Sequence, residues 1–315
     1  MIELDVLTAG EALVLLASEM PGALEDVDRF RRFSAGAELN VAVGLARLGL
    51  RVGYMSRVGD DAFGRFLLGT MDREGLSREL VAVDPARSTG FMLKSLAGGG
   101  ADPVIDYYRR GSAASAMDAG DLARLATTGA RHVHLTGILA ALSAGCRELA
   151  FALAATAREQ GRRVSFDPNL RPRLWASHEE MVATVNALAA QADVVLPGLA
   201  EGRLLTGGRD AEDIAGFYLD RGASAVVVKL GAEGAFCADH SGLRTYVPAL
   251  AAERVVDTVG AGDGFAVGVV SGLLEGLALE AAVRRGNAIG ARVVQFPGDS
   301  DGLPTRRELD GLTSG

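Results

Sequence analysis

The stretch Val255-Val256-Asp257-Thr258-Val259-Gly260-Ala261-Gly262-Asp263-Gly264-Phe265 decides how this chain is read. Val255 and Val256 predict the end of a buried strand. Phe265, Val267, Val269, Val270, Leu273 and Leu274 predict a helix running to Gly276, which suits the position just past a helix end. Between the two lies a turn of very small residues. Its backbone N–H groups lack partners within the helix, nothing bulky blocks approach, and the helix dipole favours negative charge, so the turn can cradle a phosphate. Asp263 falls in the first helical turn beside that anion site, where an ionised carboxylate can take a proton from an attacking hydroxyl. An ordinary acidic residue after a tight turn is the competing reading. The site is favoured by Gly264, Gly268 and Gly272, which share one helical face. Each costs about 0.8–1 kcal/mol relative to alanine inside a helix, so something must pack very close to that face.

Outward from this stretch, strands alternate with amphipathic helices. Strands are expected at 2–9, 51–58, 131–136, 163–167, 193–196 and 224–229, with a hairpin around 234–247. One helix is entered through Ser34-Ala35-Gly36-Ala37-Glu38-Leu39-Asn40 and closed by Gly49, and another runs from Gly59-Asp60-Asp61 to Met71. Further helices are expected at 121–128, 145–160, 178–191, 200–206, 210–221 and 279–294. This pattern predicts an α/β fold, a mostly parallel sheet with helices on both faces. Ligands of such sheets bind at the carboxyl ends of the strands, here in the loops starting near Gly10, Thr136, Asp167, Pro197, Lys229 and Asp257. Segments at about 12–16, 30–33, 88–96 and 103–110 break the alternation and read as a small β-sheet, with Gly98-Gly99-Gly100 as a hairpin tip. Set over the crevice, that sheet is a lid that excludes water from phosphoryl transfer. The expected organisation is one α/β domain over 1–315 carrying this lid.

The 315 residues are 49% hydrophobic and 23% charged, enough for a large core. A net charge of −8 argues against nucleic acid or an anionic membrane as partner, so an anionic substrate must be met by local Arg or Lys. Cys146 and Cys237 have no metal-ligand spacing and suit a reducing compartment. With no apolar run of spanning length and no basic-then-apolar start, a cytoplasmic location is expected.

Several polar clusters fall near the expected crevice. Tyr107-Tyr108-Arg109-Arg110-Gly111-Ser112 sets aromatic hydroxyls beside guanidinium groups, a local site for an anionic substrate or else a charged edge strand. Asp167-Pro168-Asn169-Leu170-Arg171 follows a strand end and supplies polar side chains to the crevice or to a surface loop. Gly36 and Asn40 share one side of a helix start, where Asn40 can hold a sugar hydroxyl or satisfy its own neighbours.

The string D-T-V-G-A-G-D-G-F resembles the C-terminal signature of the PfkB-type (ribokinase-like) carbohydrate kinases. Within them, Y-Y-R-x-G-S-A-x-S and D-x-N-x-R-x-x-L-W look most like the 2-keto-3-deoxygluconate kinases, and the likeness runs from A-G-E at residues 9–11 to Asn287. The resemblance implies a ribokinase-like fold and ATP-dependent phosphorylation of 2-keto-3-deoxygluconate at its terminal (6-) hydroxyl. It makes Asp263 the base and Gly260, Ala261 and Gly262 the anion hole. Gly36, Asn40, Phe91, Tyr107, Tyr108, Arg109 and Arg171 would meet the sugar acid, with Phe91 standing where a tyrosine is common. Asn169, Lys229, Gly231, Gly260, Gly262 and Asn287 would lie on the ATP side. Glu201 survives from an N-x-x-E motif linked to Mg²⁺, with Gly198 in place of its Asn. A monovalent cation and a homo-oligomer formed through the lid strands are further implications.

A neutral-sugar kinase such as a fructokinase would leave Arg109 and Arg171 without an anionic partner. A non-catalytic sensor of sugar or nucleotide would have no use for a base at Asp263. His132 and His134 alternate on a strand and read as sheet residues. No G-x-x-x-x-G-K-[ST] occurs, so a P-loop is not supported.

Overall fold

The computed structural model describes residues 2–96 and 103–313. Strand β1 (Ile2–Ala9) lies in a main sheet, and the chain then crosses to a second sheet for β2 (Leu13–Ser18) and β3 (Phe30–Ala35). It returns through α1 (Ala37–Arg47), β4 (Val52–Gly59), α2 (Ala62–Arg73) and β5 (Val81–Asp84), and leaves again for β6 (Phe91–Lys94) and β7 (Ile105–Tyr108). Next come β8 (Thr128–Thr136), α3 (Gly137–Leu142), α4 (Ala144–Glu159), β9 (Arg163–Asp167) and α5 (His178–Ala189). Then follow β10 (Val194–Val195), α6 (Leu199–Thr206), α7 (Ala211–Leu219) and β11 (Ala225–Lys229). The hairpin of β12 (Gly234–Asp239) and β13 (Arg244–Pro248) precedes α8 (Ala261–Leu274), α9 (Leu279–Val293) and α10 (Arg306–Thr313).

Among the described residues the main sheet has nine strands in the order β13-β12-β11-β10-β9-β8-β1-β4-β5, parallel except for the β12–β13 hairpin at one edge. Alternation along each strand feeds two cores. In β11, Val226 and Val228 join a layer with Leu149 of α4, Val185 of α5 and Ile214 of α7. Ala225 and Val227 join the opposite layer, with Leu45 of α1, Val267 of α8 and Ile289 of α9. Both faces are dry, which is why these strands read as continuous apolar runs.

The glycine stripe of α8 meets α9. A Cβ at Gly264, Gly268 or Gly272 would stand 2.8, 2.5 or 2.8 Å from Val293, Gly286 or Ala282. The two helices therefore approach backbone to backbone, and that contact fixes where α8 begins.

The small sheet runs β3-β2-β6-β7, with β2 and β6 parallel and the outer pairs antiparallel. Its own core is Leu13, Leu15, Ala35 and Met92. The glycines at 98–100, read as its hairpin tip, lie outside the described residues.

Several expectations need correction. Val255 and Val256 are not a strand end: they are 67% and 47% exposed, in an irregular segment. The main sheet already ends in the β12–β13 hairpin, and the N–H groups of Val256 and Asp257 instead donate to the carbonyl of Val294, at 2.7 and 3.1 Å. The helix expected at 121–128 is a 3-10 run over Ala119–Thr127, a winding that advances further per residue in a short connection. Helix α3 was hidden because it is an apolar run inserted directly between a strand and α4. Its start is marked only by Thr136, whose hydroxyl accepts from the N–H of Ile138 at 3.0 Å. Strand β5 and helix α10 also went unread: β5 is only half-buried, and α10 begins on charged residues.

Candidate active site

Asp263 sits in the first turn of α8 with both carboxylate oxygens aimed by amides. Nδ2 of Asn40, from α1, donates to Oδ2 at 2.7 Å, and Nδ2 of Asn169, after β9, donates to Oδ1 at 3.3 Å. Asn169 holds a φ of +39°, a left-handed conformation that asparagine adopts more readily than most residues. Burial pushes the Asp263 carboxyl up to about 7 against the Asn40 hydrogen bond; Asp167 and Asp299 push the same way, and Arg171 opposes them. A carboxyl so placed exchanges a proton near neutral pH.

The turn before it requires glycine. Gly260 caps α8 at φ +82°, and a Cβ there would lie 2.4 Å from the carbonyl oxygen of Asp299. Gly36 is similarly constrained, at φ +126° with a Cβ 2.4 Å from the carbonyl oxygen of Glu11. The amides of Gly262 and Asp263, in the first turn of α8, have no partner four residues back within the helix, and that of Ala261 reaches only the carbonyl of Thr258, at 3.4 Å.

Two cavities meet at this turn and share Lys229, Thr258 and Gly262. One, of about 390 Å³, is polar: Asn40, Tyr107, Arg109, Asn169, Arg171 and Asp263 are among its lining residues. The other, of about 620 Å³, is walled by Ala232, Leu250, Val255, Phe265, Ala291 and Val294. The first suits a small hydroxylated molecule and the second a flat ring, with the anion turn between them. Val255 thus lines a cleft rather than a core.

The charges divide unequally. Arg109 is buried and paired with Glu11, its Nε donating to Oε2 at 2.6 Å, while the Ser112 hydroxyl donates to the other oxygen. Arg171 donates through Nη1 to the carbonyls of Leu170 at 2.9 Å and Asn169 at 3.4 Å. No salt bridge joins Arg171 to a carboxylate among the described residues, so its charge is the less compensated of the two. Lys229, at the end of β11, pairs with Asp167 at the end of β9. Glu38 is fully buried; burial raises its carboxyl above the ordinary range against a hydrogen bond from Thr136.

The lid register sorts the aromatic residues. Phe91 pairs with Tyr108 and Met92 with Tyr107. Met92 and Tyr107 line the polar cavity. Phe91 and Tyr108, on the other face, stack at 4.7 Å with rings 3° apart, and Phe91 packs on Phe63 of α2. The structure therefore places Phe91 and Tyr108 away from the cavity that Tyr107 and Arg109 enter. Adjacent residues of a strand cannot share a face.

On the apolar side, Gly231 and Asn287 both line the cleft. Asn287 Nδ2 donates to the carbonyls of Val247 at 3.0 Å and Pro248 at 2.9 Å, tying α9 to the edge strand. Glu201 borders the polar cavity while accepting the N–H groups of Leu170 and Gly198, both at 2.7 Å. No cluster of three or more His, Cys, Asp or Glu among the described residues could hold a metal. The donor set would fit a divalent cation carried largely by a ligand's own oxygens and water, for which Glu201 is one bordering carboxylate. His132 and His134 share the Ser165 hydroxyl at 2.7 and 2.8 Å, and burial lowers both to about 3, so they are neutral sheet residues.

A buried carboxyl that titrates near neutral pH, at a helix start between a polar and an apolar cavity, suits an enzyme that moves a phosphoryl group onto a hydroxyl. The chain belongs to the pfkB family of carbohydrate kinases, whose pattern it matches over residues 4–306. It is 46% identical to the 2-dehydro-3-deoxygluconokinase of Bacillus subtilis (strain 168), across 99% of this chain and 96% of that protein. Its fold is similar to a crystal structure of a PfkB protein from Polaromonas sp. JS666, at TM-score 0.89 and 49% identity, covering 98% and 99% of the two chains. A double-mutant fructokinase from Vibrio cholerae O395, solved with fructose, ADP and potassium ion, superposes at TM-score 0.86 with 29% identity over 98% of each chain. The ribokinase-like α/β fold and the carbohydrate-kinase class follow. Among the described residues, no helix is long and apolar enough to cross a membrane.

Glu38, Met92, Asp299 and the pairing role of Glu11 emerge only from the fold. Only Glu11 carried a signal, an acid directly after the first strand. A buried acid elsewhere looks like any surface acid until its neighbours are known.

Proposed function

We propose that this kinase transfers the terminal phosphoryl group of ATP to the 6-hydroxyl of 2-keto-3-deoxygluconate. The observation that carries the chemistry is the Asp263 carboxylate, held by Asn40 and Asn169 where the two cavities meet. The sugar acid lies in the polar cavity and the nucleotide along the apolar one. Asp263 accepts the proton of the attacking hydroxyl. The amides of residues 261–263 and the Lys229 ammonium stabilise charge on the transferring group. Mg²⁺ neutralises phosphate charge when bound, with Glu201 positioned for a water-mediated contact.

Similarity to the B. subtilis enzyme supports this substrate. Arg171 supports it as the cavity guanidinium without a salt bridge; Arg109, balanced by Glu11, adds a hydrogen-bonding surface more than a net charge. That balance is also the one observation favouring a neutral sugar such as fructose. A cytoplasmic location and pairing of copies through the lid edges β3 and β7 belong to the same reading. Initial rates of ADP formation with 2-keto-3-deoxygluconate, fructose and ribose test it. A large kcat/KM advantage for the keto acid is expected, and a preference for fructose would overturn the carboxylate assignment.

A further inference from the structure

Lys94 is the last residue of lid strand β6, yet it is only 4% exposed. A lysine is seldom buried unless paired. Its ammonium contacts the carboxylate of Asp257, whose side chain is 10% exposed, and lies 3.5 Å from Oδ1 of the buried Asp299. Both belong to segments that shape the anion turn. Asp257 Oδ1 accepts the N–H of Val259 at 3.0 Å, which folds the turn back on itself. The carbonyl of Asp299 occupies the space that a side chain at Gly260 would need.

A second lid residue reaches the same place. A Cβ on Gly298 would lie 3.0 Å from Cδ1 of Phe33 in β3. Two strands of the small sheet therefore rest on the 298–299 turn, one through an aromatic edge and one through a charge. Two carboxylates sharing one ammonium, one of them buried, are costly to keep ionised together without that cation. Lys94 is the only cationic side chain within salt-bridge distance of either, among the described residues. Burial pushes the Asp299 carboxyl up to about 6 even with the Lys94 ammonium opposing the shift.

We propose that Lys94 is a positioning residue that latches the lid to the anion turn, its ammonium supplying the positive charge that Asp257 and Asp299 need to hold the turn in its phosphate-binding shape. The small sheet is then more than a cover. Seating it over the sugar brings Lys94 between the two acids, so the amides of residues 261–263 reach their working positions only when the acceptor side is closed. Lys94 lines neither cavity and acts through Asp257 and Asp299. The inference rests on the reading of residues 260–263 as the phosphoryl site.

The test compares wild type, Lys94→Ala, Lys94→Arg and Asp263→Asn with the best acceptor sugar and Mg-ATP. For Lys94→Ala, kcat is expected to fall about 10²-fold, the usual cost of a roughly 1 Å displacement in an active site, while KM for the acceptor changes far less. Lys94→Arg, which keeps the charge, recovers most of the rate. Small cations that fit the vacated space, methylammonium or potassium, partly restore kcat of Lys94→Ala, whereas tetramethylammonium at equal ionic strength does not. Loss without rescue by any small cation, loss confined to KM, or unchanged kcat would each overturn the latch. Should Lys94→Ala not fold, Lys94→Met carries the same measurement. Wild type adds an independent one: its kcat should be equal in potassium and tetramethylammonium chloride, and strong activation by potassium would also overturn the proposal. A fully active Asp263→Asn removes the underlying site reading, whereas an inactive Asp263→Asn beside a normal Lys94→Ala removes only the latch.

Discussion

Nδ2 of Asn40 donates a 2.7 Å hydrogen bond to Oδ2 of Asp263, across 223 positions of sequence. The bond ties the first turn of α1 to the first turn of α8. It leaves the carboxylate buried among neighbouring acids yet held in one orientation, the combination a general base needs.

Replacement of Asp263 by Asn should lower kcat by about 10²–10⁴-fold, the usual share of a general base. Folding should survive. The Asp263 carboxyl sits at about 7 in the fold against an ordinary 3.8. Being raised, it contributes stability below the unfolded value that is lost as pH rises through about 7, where the buried group ionises. Asp263→Asn should therefore melt no lower than wild type at pH 8. A large drop in Tm there would contradict the assigned burial cost.

Activity should show the same group from the other side. The base must be ionised, so kcat/KM should fall with unit slope as pH drops below about 7. In Asn40→Ala the amide that favours the ionised form is gone, which moves that limb to higher pH. A pH–rate series on both proteins checks the direction.

Arg171 and Arg109 should separate cleanly. Arg171→Ala is expected to raise KM for a sugar acid by about 10–100-fold, the worth of a charge-assisted hydrogen bond, with little change for a neutral sugar. Arg109→Ala strands the buried Glu11 carboxylate and should cost about 3–5 kcal/mol of folding stability. Denaturant titration beside steady-state kinetics distinguishes the two.

The lid faces predict a contrast between neighbours. Tyr107→Ala should raise KM for the acceptor, because Tyr107 lines the cavity. Tyr108→Ala loses its stack on Phe91 and should leave KM nearly unchanged, with a small loss of Tm. Equal effects on KM would mean that the register assigned to β6 and β7 is wrong.

Gly268→Ala probes the helix contact. The added methyl would meet Gly286 at 2.5 Å, backbone against backbone, with no flexible side chain to yield. A loss of about 1–3 kcal/mol is expected from overpacking, read as a lower denaturation midpoint.

Much of this protein is written locally. Alternating strands and helices, the turn at residues 260–263 and the close face marked by Gly264, Gly268 and Gly272 all depend on neighbours within a few positions, so periodicity and residue size determine them. Val255 and Val256 show where that legibility ends. Their apolar character is real, but whether it serves a core or a cleft depends on where the sheet stops, far away in sequence. Tyr107 and Tyr108 could not be assigned to faces until pairing with β6 set the register. Arg109 read as a free charge until Glu11, 98 positions earlier, was placed against it. Lys94, Asp257 and Asp299 were three scattered ionisable residues. Residue types and their spacing set which chemistry the chain can hold. Which charges are already paired follows from the fold, because burial and Coulomb energy depend on distance in space, and separation along the chain says nothing about it.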